Sequence, residues 1–333
     1  MNRNRMAVAR LWLTVAAILT FAALCPQQAL AQVPARFYLK PLAGVSAIPL
    51  IFESISGNTN PFDPSHRVTL GADFAEVDAT MALAGYALTF PLFERSAMAA
   101  VLVPMGRISG EASKGGTTLF KESASGFGDP MLEFTLNLIG PPAQMNIPDA
   151  LAYEPGFSLD LLVDLMLPIG EYDNDQQINI GQNRWYGRLG MPIIWQLGPW
   201  VPGRRTTLEL LPVVWLFGDN DDFVGQTMET DPLFQVDAHL TRDFTQTAWG
   251  SLDLSWYYGG KATIAGIEGD KRNDIMAGIT LGYQVNDNLN LTFGYKSTLN
   301  DDGPDDVRQD LFMVTLTYGW HPMVEGMRRL KSE

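Results

Sequence analysis

His239 is the residue of this sequence best placed for acid–base chemistry. It lies in the middle of a segment that alternates apolar and polar residues, and Asp237 falls on the same face two positions earlier. A carboxylate beside an imidazole is the arrangement with which hydrolases activate a nucleophile. No serine accompanies the pair in a recognisable hydrolase motif, and His66 and His321 lie just outside strand segments. We therefore interpret His239 and Asp237 as an interior polar pair, predict no catalytic residue, and keep a barrel hydrolase as the least favoured alternative.

Two motifs rich in glycine and aspartate have the composition of phosphate or cation sites. GFGDP at residues 126–130 lacks the helix and the spacing of a phosphate loop, so it predicts a turn where a strand begins. DDGPDD at residues 301–306 lacks the spaced ligands and final glutamate of an EF-hand, so it predicts a solvated acidic loop. We expect no cofactor and no metal site. The net charge of −14 also argues against a nucleic-acid partner, because phosphate binding depends on clustered Lys and Arg.

Charged and polar side chains recur on one face of several alternating segments, opposite the apolar face. If these segments are the strands of a barrel, that face lines the lumen. The lumen-facing candidates are Glu133, Asp160, Asp164, Arg184, Arg188, Glu209, Asp237, His239, Asp253, Asp274 and Lys296. In a functional interpretation, these side chains select the solutes that pass through the lumen. In a structural interpretation, they form salt bridges that fill the barrel interior. The residues alone leave both interpretations open.

Long strands are the elements that must position these residues. Leu289, Leu291 and Phe293 alternate with Asn290 and Thr292, which is the period of a β-strand. Such segments repeat along the chain between turn residues, and they reach the roughly 9 to 11 residues of a tilted membrane strand. After the N-terminal region, no apolar stretch is long enough to span as a helix. The sequence therefore predicts an all-β protein, an antiparallel transmembrane β-barrel.

The strand count follows from these segments. Eleven are evident from Glu76 to Trp320, and a weaker one from Phe37 to Phe52 makes twelve. Bacterial single-chain barrels have even strand numbers. Twelve strands is the prediction, and fourteen is the alternative if residues 66–93 contain a break. Residues 32–60 are interpreted as a possible first strand or a plug in the lumen, with the strand preferred.

The links between segments alternate in length. Short links occur near residue 94 and at residues 198–203, 245–247 and 286–288, whereas 140–155 is a long, proline-rich exception in a short-link position. The long links are residues 110–125, 170–183, 219–231, 260–271 and 300–310. Outer-membrane barrels have short periplasmic turns and longer extracellular loops. The pattern therefore predicts that the long loops face outside and that residues 321–333 form a periplasmic tail.

The N-terminus has the pattern of a secretory signal peptide. Three arginines precede an apolar run, and the small-x-small pattern at residues 29–31 predicts cleavage after Ala31. The only cysteine, Cys25, lies inside the signal, so the mature chain is expected to have no disulfide. Export combined with a barrel predicts the cell outer membrane of a Gram-negative bacterium. The expected partners are outer-membrane lipid, lipopolysaccharide and the barrel-assembly machinery.

Several motifs, in order, resemble those of the family named Putative MetA-pathway of phenol degradation. They are SGFGDPMLEFTLNLIGPPA at 125–143, GEYDNDQQINIGQNRW at 170–185, WLFGDNDDFVGQTMETDPLFQVDAHL at 215–240 and WYYGGKATIAG at 256–266. The resemblance covers most of residues 67–320. It implies an outer-membrane transporter-like barrel that takes up or handles small hydrophobic or aromatic compounds.

Passive uptake of small organic solutes through the barrel, hydrophobic or aromatic ones included, is the function we expect. The alternative is a structural or surface-interaction barrel without transport, in which the long loops carry the function. We do not expect enzymatic activity.

Overall fold

The computed structural model describes residues 33–39, 42–65, 72–301 and 306–332. The predicted signal peptide, Cys25 and His66 lie outside the described residues. Most of the described chain is strand, because the apolar and polar residues alternate with a period of two. The strands are β1 (Ser46–Gly57), β2 (Phe74–Leu92), β3 (Arg95–Lys114), β4 (Thr117–Phe127), β5 (Met131–Ile139), β6 (Phe157–Met166), β7 (Tyr186–Gly190), β8 (Ile193–Gln196), β9 (Thr206–Phe217), β10 (Asn220–Phe223), β11 (Gln226–Thr230), β12 (Leu233–Asp243), β13 (Ala248–Gly259), β14 (Ala262–Ile264), β15 (Ile267–Glu268), β16 (Arg272–Gln284), β17 (Leu289–Thr298) and β18 (Gln309–Trp320).

The main sheet closes on itself into an antiparallel barrel. Neighbouring strands pair around the ring, β18 pairs with β1, and β9 pairs with β12 to complete it. Two of the twelve positions in the ring are each filled by two strand segments. β4 and β5 share the position beside β3, and β7 and β8 share the position between β6 and β9. The prediction of a twelve-stranded barrel is confirmed, and β2 runs without a break, so the fourteen-strand alternative is wrong.

Proline-containing links separate the halves of these two divided positions. Pro130 follows Gly128 between β4 and β5, and Pro192 lies between β7 and β8. Proline has no backbone N–H to donate to a β-ladder, which favours an interruption at both places. The first strand also differs from the sequence prediction, because it runs over residues 46–57 rather than 37–52.

Large apolar side chains cover the outer face of the barrel. They alternate with buried residues along each strand, and their exposure on this scale is typical of a surface that faces lipid. They include Ile48, Leu50, Phe52, Leu88, Leu132, Leu161, Leu165, Leu189, Phe234, Leu240, Leu252, Leu254, Ile275, Ile279 and Leu281. We call this surface the outer belt.

The two ends of the barrel differ. At one end, which we call the short-turn end, links such as residues 93–94, 244–247 and 285–288 join neighbouring strands. The proline-rich link after β5 also lies at this end and contains the short helix α1 (Ile147–Ala152), whose N-cap Asn146 accepts a hydrogen bond from the Asp149 N–H. Helix α2 (Pro322–Ser332) follows β18 here.

The opposite end, the long-loop end, carries more structure than the sequence predicted. Residues 110–125 do not form an irregular loop, since β3 and β4 continue as a hairpin with a two-residue turn at Gly115 and Gly116, both at positive φ. The links at 219–231 and 260–271 contribute β10, β11, β14 and β15 to a separate four-stranded sheet. Neither helix of the described residues is long and apolar enough to cross a membrane.

Candidate functional site: the barrel lumen

The lumen-facing candidates are all buried. Each is a strand residue on the inner face, except Arg184, which lies just before β7. Strand alternation directs these side chains inward, opposite the outer belt. They do not form one site. They form several separate groups, and two of the groups hold chain segments that enter the lumen from its two ends.

Residues 33–39, which we call the first plug segment, lie inside the barrel near the short-turn end. The backbone N–H of Arg36 donates to Glu209 Oε2 at 2.7 Å, and its guanidinium pairs with Asp243 Oδ1 at 2.7 Å. The same guanidinium stacks 4.4 Å from the centroid of the Trp249 ring. Burial lowers the pKa of Arg36, and the adjacent Asp243 carboxylate opposes this effect. Asp243 also binds Arg205 at 2.8 Å, so one carboxylate serves two cations.

The first plug segment also reaches β5, three positions from β9 around the barrel. The Tyr38 hydroxyl donates to Glu133 Oε2 at 3.3 Å, and burial raises the pKa of this phenol well above its ordinary value, so it stays protonated as a donor. Arg188 pairs with Asp164 and lies 3.8 Å from Glu133 Oε2. Three buried carboxylates therefore bind the first plug segment directly, Glu133 of β5, Glu209 of β9 and Asp243 of β12, and Arg188 lies beside the first of them.

Residues 58–65, the second plug segment, fold into the lumen directly after β1. Asp63 Oδ2 pairs with Arg184 Nη2 at 2.6 Å, and the Ser65 hydroxyl lies 3.1 Å from the same nitrogen. Arg272, held by two hydrogen bonds to Asp274, donates to the Pro64 carbonyl oxygen at 2.7 Å. This segment is anchored by cations on the wall, whereas the first plug segment brings a cation to wall carboxylates.

The link at residues 170–183 also turns inward, and the sequence did not predict this. Asp129 Oδ1 accepts the Gly170 N–H at 2.9 Å, and Asp129 Oδ2 accepts the Gln182 N–H at 2.8 Å. The side chains of Ile178 and Ile180 are fully buried as a result. The GFGDP motif could have indicated this contact, because it places an aspartate, a hydrogen-bond acceptor, between a glycine and a proline at a strand break. Its turn geometry was predicted, but its partner was not.

The link meets the second plug segment at the long-loop end. The Asn60 side-chain amide donates to the Asn179 carbonyl oxygen at 2.9 Å. Phe62 is buried in the same region. A carbon placed at the Gly106 Cβ position would lie 3.2 Å from the Phe62 ring. The long-loop half of the lumen is thereby filled by the chain itself.

His239 is paired with a different carboxylate from the one that the sequence suggested. Its Nδ1 lies 2.7 Å from Asp253 Oδ1, its cross-strand partner on β13, and not against Asp237. Ser251 and Thr280 donate to the same Asp253 carboxylate. His239 Nε2 has no hydrogen-bond partner among the described residues, and the space that His239 lines with the first plug segment is about 10 Å³. That space holds about one water molecule.

The other candidates belong to wall networks. Asp237 accepts from Gln235 and Ser255, and Lys296 donates to the Ser255 hydroxyl at 3.0 Å. Asp160 accepts from the Asn137 amide at 2.8 Å. In the part of the chain that the structure describes, no three His, Cys, Asp or Glu side chains are arranged to hold a metal ion.

A cavity of about 550 Å³ occupies the short-turn half of the lumen, beside the first plug segment. Small and apolar residues of β1, β2 and β3 line one part of the cavity, and Asn and Thr residues of the adjoining strands β17 and β18 continue the same stretch of wall. Trp249, Thr247 and Asn288 lie at the short-turn end of the cavity. None of the lumen-facing residues predicted from the sequence lines this cavity, because that prediction followed the charged side chains.

One contact at the cavity is unusually close and gives a test of the packing. Trp249 lies directly over Gly282, its partner on β16, and a carbon at the Gly282 Cβ position would lie 2.0 Å from the indole ring. We expect Gly282→Ala to displace Trp249 from Arg36 and to lower the free energy of unfolding by about 1–3 kcal/mol, as overpacking does. Urea unfolding of the protein in lipid vesicles would measure the loss. Gly326→Ala on α2, where a Cβ meets no atom within 4 Å, is the control. Equal stability of the two variants would contradict the prediction.

The fold has known relatives among solved structures. An outer membrane channel from Pseudomonas putida F1 superposes with a TM-score of 0.67 at 18% identity, over 87% of this chain and 100% of that one. The β-domain of the Bordetella autotransporter BrkA gives 0.49 at 10% identity, over 83% and 100% of the chains. The toluene transporter TodX of Pseudomonas putida gives 0.42 at 10% identity, over 88% and 94%. The last two scores fall below 0.5, so they carry no argument about this chain.

The first of these likenesses shows that the chain has the fold of an outer membrane β-barrel. No curated protein sequence matches the chain. The profile of one family, described as Putative MetA-pathway of phenol degradation, matches residues 60–316. This match covers most of the chain and confirms the resemblance carried by the four motifs. The chain therefore belongs to the Putative MetA-pathway of phenol degradation family.

Proposed function

We propose that this protein is a passive channel of the outer membrane for small organic compounds, hydrophobic and aromatic ones included. Its signal peptide is cleaved after Ala31, and the barrel-assembly machinery inserts the mature chain into the membrane. The short-turn end faces the periplasm, and the long-loop end faces the lipopolysaccharide. The apolar outer belt supports contact with membrane lipid. The Pseudomonas putida F1 relative of the same fold is named an outer membrane channel.

The observation that carries the proposal is how the lumen is filled. A barrel that serves only as a scaffold fills its interior with side chains of its own wall. Here the wall residues instead hold two chain segments and one inward link by individual polar contacts, and a cavity of about 550 Å³ remains beside the first plug segment. These segments are not strands of the barrel, so their release from the lumen breaks no strand pairing. The closed and the open state therefore have the same barrel. The buried lumen charges are proposed to control this exchange.

The hydrolase alternative is not advanced, because the space beside His239 holds no more than about one water molecule.

An uptake measurement distinguishes the proposed channel from a structural or surface-interaction barrel without transport. We expect porin-deficient Gram-negative cells that produce the protein to accumulate radiolabelled 4-ethylphenol several-fold faster than cells without it, because lipopolysaccharide slows this solute. A sugar of larger size, maltotriose, is the control solute and should enter no faster. Equal 4-ethylphenol uptake with and without folded protein in the membrane would refute the channel.

A further inference from the structure

The cavity at the short-turn end is unlike the rest of the lumen, because the polar side chains that β17 and β18 present to it are uncharged. Thr292 and Thr315 face each other across β17 and β18 and both line the cavity, as do Asn290 and Thr317, the next pair in the ladder. The adjoining strands β1, β2 and β3 present Met98 and other apolar or small side chains, together with the hydroxyl groups of Thr89 and Ser96. The cavity lining therefore offers hydroxyl and amide groups on β17 and β18 beside a mainly apolar surface on β1, β2 and β3.

The lining of the cavity has no net charge, because its described residues include three cations and three carboxylates: Arg36, Arg205 and Arg328, and Asp243, Asp287 and Glu325. Arg36 and Arg205 are both bound to Asp243, and Arg328 of α2 is bound to Asp287 at 2.7 Å. A charged ligand would need a net counter-charge in the lining to offset its desolvation. The neutral lining therefore favours an uncharged ligand.

The two threonines carry the second observation. Neither Thr292 Oγ1 nor Thr315 Oγ1 has a hydrogen-bond partner among the described residues, and both oxygens are buried. A buried hydroxyl without a partner costs about 1–3 kcal/mol. Both side chains already lie on the cavity side of their strands, so rotation about χ1 turns either hydroxyl towards the cavity. A ligand hydroxyl placed there would satisfy both groups.

From this juxtaposition we infer that the cavity is a binding site for uncharged organic alcohols and phenols, whose hydroxyl meets Thr292 and Thr315 while the apolar body packs on the wall of β1, β2 and β3. The inference rests on the proposed channel function and names the class of compound that the channel takes. The volume of about 550 Å³ lies in the range of small-molecule sites. It accommodates a substituted aromatic ring.

The test measures binding rather than transport. The protein is placed in lipid nanodiscs, and equilibrium dialysis against empty nanodiscs compares radiolabelled 4-ethylphenol with ethylbenzene, which lacks the hydroxyl. We expect the variant Thr292→Val/Thr315→Val to bind 4-ethylphenol about tenfold more weakly than the native protein, the effect of losing about one net hydrogen bond. Ethylbenzene binding should be unchanged, because valine keeps the shape of threonine.

The control variant is Thr117→Val/Thr118→Val, which makes the same two changes on the exposed β3–β4 hairpin. It should bind both compounds like the native protein, and heat-dependent gel mobility verifies that each variant is folded. The inference is overturned if the native protein binds neither compound, if the lumen variant binds 4-ethylphenol normally, or if it loses both compounds equally. Normal binding without uptake would refute the channel but leave the site standing, whereas uptake without hydroxyl-dependent binding would refute the site alone.

Discussion

Replacing Asp63 and Arg184 together, as Asp63→Asn/Arg184→Gln, should open the long-loop half of the lumen. This ion pair joins the second plug segment to the wall at 2.6 Å, and both side chains are almost completely buried. Removing both charges leaves no unpaired charge behind, so the barrel itself should remain folded. The double substitution removes the strongest contact that holds the second plug segment in the closed state. We expect the open probability of single channels in planar bilayers to rise tenfold or more, which corresponds to about 1.4 kcal/mol.

The chain offers a matched control for this experiment. Arg328 and Asp287 form an ion pair of similar length, 2.7 Å, at the rim of the short-turn end, where both side chains are substantially exposed. Asp287→Asn/Arg328→Gln removes the same two charges without touching the second plug segment, and conductance should stay at the native level. A folded Asp63→Asn/Arg184→Gln variant that is as silent as the native protein would show that residues 58–65 do not close the channel.

Arg188→Met should be the most destabilising single substitution among the lumen residues. Arg188 is the shared partner of Glu133 and Asp164, and its guanidinium also stacks 5.2 Å from the centroid of the Trp215 ring. Its loss leaves two neighbouring buried carboxylates without a cation. Breaking a buried ion pair in this way costs about 3–5 kcal/mol. Urea unfolding from lipid vesicles would measure the difference.

Two comparisons make the stability result interpretable. Arg328→Met breaks an exposed ion pair and should cost at most about 1 kcal/mol. Adding Glu133→Gln and Asp164→Asn to Arg188→Met should restore most of the lost stability, since no buried charge is then unpaired. If Arg188→Met is as mild as Arg328→Met, the buried network is not a determinant of stability.

The barrel was predictable from the sequence because its signal is local. A period of two along each strand decides which side chains face lipid and which face the lumen, and Leu252 and Asp253 already show this as neighbours. The hairpin at residues 110–125 was missed because its polar composition is typical of a loop. Its regularity comes from cross-strand pairs such as Glu111 with Lys121.

The arrangement inside the lumen was less predictable because its contacts are not local. The partner of His239 is Asp253, fourteen residues away, and the choice depends on the register of β12 against β13 rather than on spacing along one strand. The partners of Arg36 lie still further along the chain, and residues 33–39 have no period that marks them as an insertion. The sequence therefore indicated the charges on the wall and offered a lumen plug within residues 32–60 as the less favoured alternative, but it did not show which charges hold which segment.

The docking of the first plug segment has a consequence for the order of assembly. Arg36 and Tyr38 bind groups that lie 95 or more residues later in the chain. Some of these groups become neighbours only when β9 and β12 have paired, and His321, which contacts the Ala43 carbonyl, follows the last strand. Contacts so distant in sequence form late, because the entropy of closing the long loop is lost before they are made. The first plug segment is thus expected to dock only after the strands that carry its partners have paired, so residues near the start of the described chain take their places last.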